Sequence, residues 1–322
     1  MHNTSSSAGR LDPRSAARNS RPAAFMSVSV ATILIATKSW AWAISGSVAM
    51  LASLADSILD LAASLFTLWA VTEAATPPDA HHRYGHGKAE GFAALIQAVL
   101  VGASAAVIAH EAVERFVAPV VVAHGLVAVI VMVISITLTM LLVIVQTRSL
   151  RKTGSVAIAS DRTHYASDFV ANIAVLIGVV AASWFNLPLA DPVMGLAVAG
   201  WLAWSAISVG RTAFDQLMDR ELPDVDRDRI RALAETDGVG IHRLRTRAAG
   251  PIIHIQFHLD VPADVSLAEA HHIMVACEER ILAEFPGADI LIHPDPQGVA
   301  EKHGAEFFRT PPSRPPPART GA

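Results

Sequence analysis

Six long, predominantly apolar runs dominate this sequence. At 1.5 Å rise per residue, about 20 such residues are what an α-helix needs to cross roughly 30 Å of hydrocarbon. The runs are Phe25 to about Ser45, about Val48 to Ala74, Ala89 to Val117, about Val121 to Thr147, Ala157 to Phe185 and Leu189 to Gly210. Gly46 breaks the chain after the first, and Pro77-Pro78 follows the second. Charged residues make up 17% of the chain, against about a quarter in soluble domains, and the deficit is concentrated in these runs. The fold expected for residues 22–211 is therefore a polytopic α-helical membrane domain of six transmembrane helices.

Orientation follows from the basic residues of the short loops, because Lys and Arg stay cytoplasmic. Arg10, Arg14, Arg18 and Arg21 precede the first run, Arg83 and Lys88 lie between the second and third, and Arg148, Arg151 and Lys152 follow the fourth. Only Arg115 falls on the other side, so both termini are expected in the cytoplasm. Residues 1–21 lack the short apolar core of a signal peptide and read as a disordered basic tail; residues 299–322, rich in proline, read as a second one. A net charge of −4 with no basic stripe excludes nucleic acid as a partner. The single cysteine, Cys277, excludes structural disulfides and CxxC zinc modules.

Four ionisable residues interrupt the apolar runs. Asp56 and Asp60 lie within the second, His164 and Asp168 within the fifth. An ionised group there costs several kcal/mol unless it is paired, hydrated or metal-bound, so each marks function by default. Both pairs are four residues apart, which places each pair on one helix face. Two such faces opposed offer three carboxylates and one imidazole, a mixed oxygen and nitrogen set that suits Zn²⁺, with Cd²⁺, Fe²⁺, Co²⁺ or Ni²⁺ also accommodated. A proton relay without metal is the competing reading. Between the second and third runs, Asp79-Ala-His-His-Arg-Tyr-Gly-His-Gly-Lys-Ala-Glu90 offers a carboxylate and three histidines, either a second metal site or a solvated loop.

After Arg220 charged residues return. A polar helix over Asp224 to Thr236, strands over Ile241 to Arg247 and Ile252 to Asp260, a helix over Ser266 to Phe285 and a strand over Asp289 to His293 give an αββαβ order, a ferredoxin-like open-faced sandwich over residues 212–298. In the second strand Ile253, Ile255, Phe257 and Leu259 alternate with His254, Gln256 and His258. A domain this small buries little core alone, which favours dimerisation.

The Asp56-Ser57-Ile58-Leu59-Asp60 pentad, the Tyr84-Gly85-His86-Gly87-Lys88-Ala89-Glu90 string and the His164-Tyr165-Ala166-Ser167-Asp168 pentad, in this order on these helices, resemble the cation diffusion facilitator family, most closely its bacterial zinc/iron branch. The resemblance extends from about Pro22 to Gly298. It implies a homodimeric, proton-coupled exporter of divalent metal in the bacterial inner membrane. It places the transport site at Asp56, Asp60, His164 and Asp168 and a loop site at Asp79, His82 and His86; within the first, His164 is the expected proton carrier, since imidazole is the side chain whose unperturbed charge change falls nearest neutral pH. It also implies a regulatory metal pair in the cytoplasmic domain on His242, His258, His271, His293 and Asp295. His81, His254 and His272 have no family counterpart, and Lys38 matches a family position suited to helix packing. The ion implied is Zn²⁺, transported and regulatory, with Fe²⁺ and Cd²⁺ as further substrates. A membrane-embedded metal sensor that binds without transporting is the alternative; an intramembrane metalloprotease is disfavoured by the lack of HExxH.

Overall fold

The computed structural model describes residues 8–45, 48–117, 126–184, 190–236 and 238–298. The expected starts of the fourth and sixth runs and the proline-rich end lie outside these residues. Six long helices form the amino-terminal part: α1 (Pro13–Ser45), α2 (Val48–Glu73), α3 (Lys88–Val117), α4 (Leu126–Thr153), α5 (Val156–Trp184) and α6 (Ala190–Leu217). Among the described residues five of them, all but α5, are long and apolar enough to cross a membrane. Helix α5 is 29 residues long; its first half carries Asp161, Arg162, His164 and Asp168, and an apolar run follows to Trp184. Five of the six expected spans are thus met by length and composition among the described residues.

Helix α1 begins earlier than expected. Residues 13–21 are helical, not a disordered tail. Asp12 explains the start: its Oδ1 accepts the backbone N–H groups of Arg14 at 3.0 Å and Ser15 at 3.2 Å, and Pro13 occupies the first helical position, where its missing N–H costs nothing. Before it, residues 8–12 dock on the carboxy-terminal domain. Gly9 exchanges backbone hydrogen bonds with Pro251 and Gly287, Ala8 enters that domain's core, and Arg10 pairs with Asp226 at 2.9 Å and Glu284 at 2.6 Å while lying 4.2 Å above the Phe285 ring. A Cβ on Gly9 would approach Ile253 to 2.6 Å, so this close docking needs glycine.

In the membrane part α3 packs along α6 and α1 along α2, while α5 touches every other helix of the group. Its amino terminus is held by Glu90 of α3, whose Oε2 accepts the Val156 N–H at 3.0 Å. A carboxylate at a helix amino terminus satisfies an orphan donor and complements the helix dipole.

The carboxy-terminal part follows the order α7 (Asp224–Ala234), β1 (Gly240–Ala249), β2 (Ile252–Val261), α8 (Leu267–Glu284), β3 (Ala288–Pro296). Strand β2 is central, antiparallel to β1 and parallel to β3. Ser266 and Glu269 form a capping box that starts α8. One sheet face buries Ile253, Ile255, Phe257 and Leu259 together with Ile230, Cys277 and Ile281 of the helices. Lone Cys277 is a core residue. The opposite face carries the histidines, with one departure from the alternation: His254 is 4% exposed, because Tyr84 of the α2–α3 loop packs edge-on against it. Gly87 of that loop sits so close to the β1–β2 turn that a Cβ would lie 1.9 Å from the Ala249 oxygen.

Candidate metal centres

The first centre joins α2 to α5. His164 Nε2 lies 2.9 Å from Asp60 Oδ1 and 3.6 Å from Asp168 Oδ2. One ligand atom from each of the three residues falls within 4.8 Å of the others. Asp60 and His164 are buried, at 6% and 8% exposure, which raises the cost of leaving either without a partner. Asp56 does not join this close group. One turn earlier on α2, it lines a cavity of about 130 Å³ together with Lys38, His164, Asp168 and Asn172. Lys38 reaches from α1 to the same turn of α2, donating to Ser57 Oγ at 2.6 Å and the Ser53 carbonyl at 3.1 Å. The fourth expected ligand thus shares the cavity wall with His164 and Asp168, while Asp60 meets those two outside the lining.

The second centre lies in the α2–α3 loop. Asp79 Oδ1 accepts the backbone N–H groups of His82 at 2.6 Å and His81 at 2.8 Å, and these donors hold its carboxyl below the usual range. His82 Nδ1 and His86 Nε2 approach to 3.1 Å, and His86 Nε2 lies 3.4 Å from Asp79 Oδ2. Asp79, His82 and His86 form one potential ligand set; His81 contributes its backbone N–H to it. Sequence reasoning missed Glu73, at the end of α2, whose Oε1 is 3.7 Å from His86 Nε2. Its signal was a carboxylate at the mouth of a span, which needs no special cause.

The third centre is written in strand register. His242 of β1 pairs with His258 of β2, and His258 with His293 of β3, so three imidazoles stand in one row across the sheet. Asp295, two residues beyond His293, shares their face. Its Oδ2 is 2.8 Å from His258 Nδ1 and 3.1 Å from His242 Nε2, and its Oδ1 is 3.1 Å from His293 Nε2. Burial pushes the Asp295 carboxyl up, but the His258 hydrogen bond and the charges of His258, His293 and His242 outweigh it and hold the group below its ordinary value. Asp260, paired with His242 at 3.2 Å, is a further carboxylate the sequence reading missed, although its i+2 spacing from His258 put it on the same face. His271 and His272 sit exposed on α8, and neither is part of this ligand set. Three imidazoles around a buried carboxylate fit a borderline ion such as Zn²⁺, which His242, His258, His293 and Asp295 would hold.

His254, the histidine beside this row, has another task. Its Nδ1 is 2.9 Å from Asp289 Oδ2, and its ring supports Tyr84, over which the Arg247 guanidinium lies at 5.0 Å. Asp219 pairs with Lys88 at 3.0 Å and Arg247 at 3.1 Å, completing a joint between the two parts of the chain.

Known proteins share this arrangement. The family model described as the cation efflux transmembrane domain matches residues 24–218, and that of the cation efflux protein cytoplasmic domain matches residues 222–297. The cation-efflux pump FieF of Cronobacter sakazakii is 40% identical over 282 residues, covering 87% of this chain and 94% of that protein. FieF of Escherichia fergusonii is 37% identical over 287 residues, covering 88% and 95%. That of Klebsiella pneumoniae is 38% identical over 288 residues, covering 89% and 96%. Both halves of the chain, each with its own candidate metal centre, match the two domains of one transporter family along nearly their whole length. The chain belongs to the cation diffusion facilitator family of cation-efflux membrane transporters, and is not an enzyme.

Proposed function

We propose that this protein is a homodimeric antiporter of the bacterial inner membrane that exports Zn²⁺ from the cytoplasm in exchange for protons, with Fe²⁺ and Cd²⁺ as further substrates. Six spans with both termini cytoplasmic carry a transport site made of Asp56, Asp60, His164 and Asp168. The observation that carries this reading is the approach of His164 Nε2 to Asp60 Oδ1 at 2.9 Å across two helices, with Asp168 beside them. One imidazole and carboxylates from facing helices are a ligand set for a borderline divalent ion, and the same lone pairs accept protons.

The coupling follows from that competition. With three ionised carboxylates and a neutral imidazole the ligands carry about −3, which a divalent ion reduces to about −1, so protons arriving at the site favour release of the metal. His164 is the proton carrier, because the same ring-nitrogen lone pair that would bind the metal ion accepts a proton when the ion leaves. Exchange for one proton moves net charge outward, at about 2.3 kcal/mol per 100 mV of inside-negative potential, whereas exchange for two is electroneutral. In this orientation the cavity lined by Lys38, Ser53 and Asp56 lies toward the outer ends of α1 and α2, so Asp56 is the ligand nearer the exit side and Asp60 the one nearer the cytoplasm.

The cytoplasmic row of His242, His258, His293 and Asp295 acts as a sensor of cytoplasmic metal, with His271 of α8 as a further ligand of the same domain. The loop group of Asp79, His82 and His86 stands between sensor and membrane. The test is metal-driven proton flux in proteoliposomes containing a pH dye, comparing Zn²⁺, Cd²⁺, Fe²⁺ and Mn²⁺ for wild type and Asp60→Ala. Zn²⁺-driven flux that disappears in the variant supports the antiporter and its site. Zn²⁺ binding without proton movement in either protein would favour a sensor that does not transport.

A further inference from the structure

One fully buried carboxylate of the membrane part has no place in any of the three centres. Asp161 lies three residues before His164 on α5, about 4.5 Å along the helix axis. Three donors from three helices converge on it. Ser27 of α1 donates to Oδ2 at 2.6 Å, Gln146 of α4 donates to the same oxygen at 2.7 Å, and Gln97 of α3 donates to Oδ1 at 3.2 Å. The second N–H of Gln146 goes to Ser27 Oγ at 3.0 Å, and that of Gln97 to Thr67 Oγ1 of α2. Ser27, Thr67, Gln97 and Gln146 are each at most 2% exposed. A carboxylate offers about four acceptor positions and no donor when ionised, so it is suited to receive all three. An amide with both protons committed in this way also has a fixed orientation.

This knot acts on the relation between α2 and α5. Asp60, Ser64 and Thr67 stand at i, i+4 and i+7 and share one face of α2; Asp161, His164, Tyr165 and Asp168 stand at i, i+3, i+4 and i+7 and share one face of α5. The faces meet in antiparallel order. Asp60 meets His164 and Asp168, Ser64 meets the Tyr165 hydroxyl at 2.7 Å, and Thr67 meets Asp161 through Gln97. The metal-ligand contact is thus the last of three rungs. The Asp161 rung is anchored to α1, α3 and α4 as well, whereas the Ser64 rung adds only a long bond from the Tyr165 hydroxyl to the Ser27 carbonyl of α1, at 3.5 Å. A slip of α5 by one residue would move His164 about 1.5 Å along the axis and take it out of hydrogen-bond reach of Asp60.

We propose that Asp161 is a positioning residue for transport: it ties α5 to the four preceding helices and thereby sets the register at which His164 and Asp168 face Asp60, while binding no metal itself. The proposal rests on the transport-site reading above. It is tested by Zn²⁺-dependent proton flux in proteoliposomes, at varied Zn²⁺, for wild type, Asp60→Ala, Asp161→Asn and Gln97→Met. Asparagine keeps the size but brings an N–H₂ group against other donors. A monodisperse Asp161→Asn protein is expected to show a KM for Zn²⁺ raised at least about tenfold, the loss typical of a group that orients ligands, with its maximal rate within about twofold of wild type. An unchanged KM overturns the proposal. So does a lower rate at unchanged KM, which is what a smaller folded fraction would give. If Asp161→Asn does not fold, Gln97→Met decides, since it removes the α3 arm, both its bond to Asp161 and its bond to Thr67, and leaves those from Ser27 and Gln146 in place: a KM raised at least about threefold, the scale of one hydrogen bond or more, supports the role, and a wild-type KM overturns it. Full transport by Asp60→Ala would instead overturn the transport-site reading, and the positioning role with it.

Discussion

The membrane centre and the cytoplasmic centre use the same side chains in inverted proportion. Asp60, Asp168 and nearby Asp56 surround one histidine, whereas His242, His258 and His293 surround one aspartate. With its carboxylates ionised the first would hold a large negative charge inside an apolar domain, to be offset by metal or by protons, which is the property the proposed coupled carrier needs. The second carries about −1 with neutral imidazoles, and a divalent ion there adds charge in a domain that water reaches. The frameworks differ as well. The α2 and α5 faces are held in register by a few side-chain rungs, whereas the strand row is spaced by backbone hydrogen bonds. In the proposed division of labour the acid-rich centre transports and the imidazole-rich one senses.

The largest expected effect breaks the comparison at its membrane side. Asp60→Ala should reduce Zn²⁺-driven flux to the background of empty vesicles, while Zn²⁺ binding at the cytoplasmic row, measured by calorimetry on the whole protein, stays intact. At the other side, Asp295→Asn should weaken cytoplasmic metal binding at least about tenfold, since loss of a ligand costs no less than loss of its supporting partner. Transport at saturating metal should persist in that variant, but its dependence on cytoplasmic metal should flatten when His258 is also replaced. An unchanged dependence in the double variant would remove the sensing role.

Smaller effects test how the two regions are joined. Arg10→Ala takes the guanidinium away from Asp226, whose side chain is 1% exposed, and from Glu284. The whole protein in detergent should lose about 1–3 kcal/mol of stability in thermal or denaturant unfolding. The smallest effect is a pH dependence at the joint. Burial holds the His254 imidazole below its ordinary value, assisted by Arg247 and opposed by Asp289 and Asp219. The folded protein therefore favours neutral His254, while the unfolded chain takes up the proton at about pH 6.5. Its contribution to stability is complete above that pH and is lost as pH falls toward the lower folded value. His254→Phe should flatten the melting temperature between about pH 5 and 7.5 relative to wild type; an unaltered slope would assign the dependence to other groups.

The sequence made legible what periodicity carries. Asp56 with Asp60 and His164 with Asp168 are i,i+4 pairs, and Ile253, Ile255, Phe257 and Leu259 alternate, so helix faces and the buried sheet face could be read directly. Contacts between elements were not legible. Glu73 joins the loop group only after folding, since nothing in its spacing points at a partner, and Asp260, placed on the histidine face by its spacing from His258, finds His242 only once β1 pairs with β2. His254 was expected on the open sheet face because alternation places it there, but the Tyr84 loop covers that end. The tail was misjudged for a related reason: a Ser-, Ala- and Arg-rich stretch reads as solvated, yet Asp12-Pro13 starts a helix and Arg10 finds two carboxylates far along the chain.

The most direct test of the account is to measure Zn²⁺ uptake and proton movement together in the same vesicles, for wild type and Asp60→Ala, between about pH 6 and 8, where an imidazole changes charge. The account predicts a fixed ratio of protons to Zn²⁺ in the wild type and the loss of both fluxes in the variant. Zn²⁺ that accumulates without counter-movement of protons, or undiminished fluxes in Asp60→Ala, would contradict it.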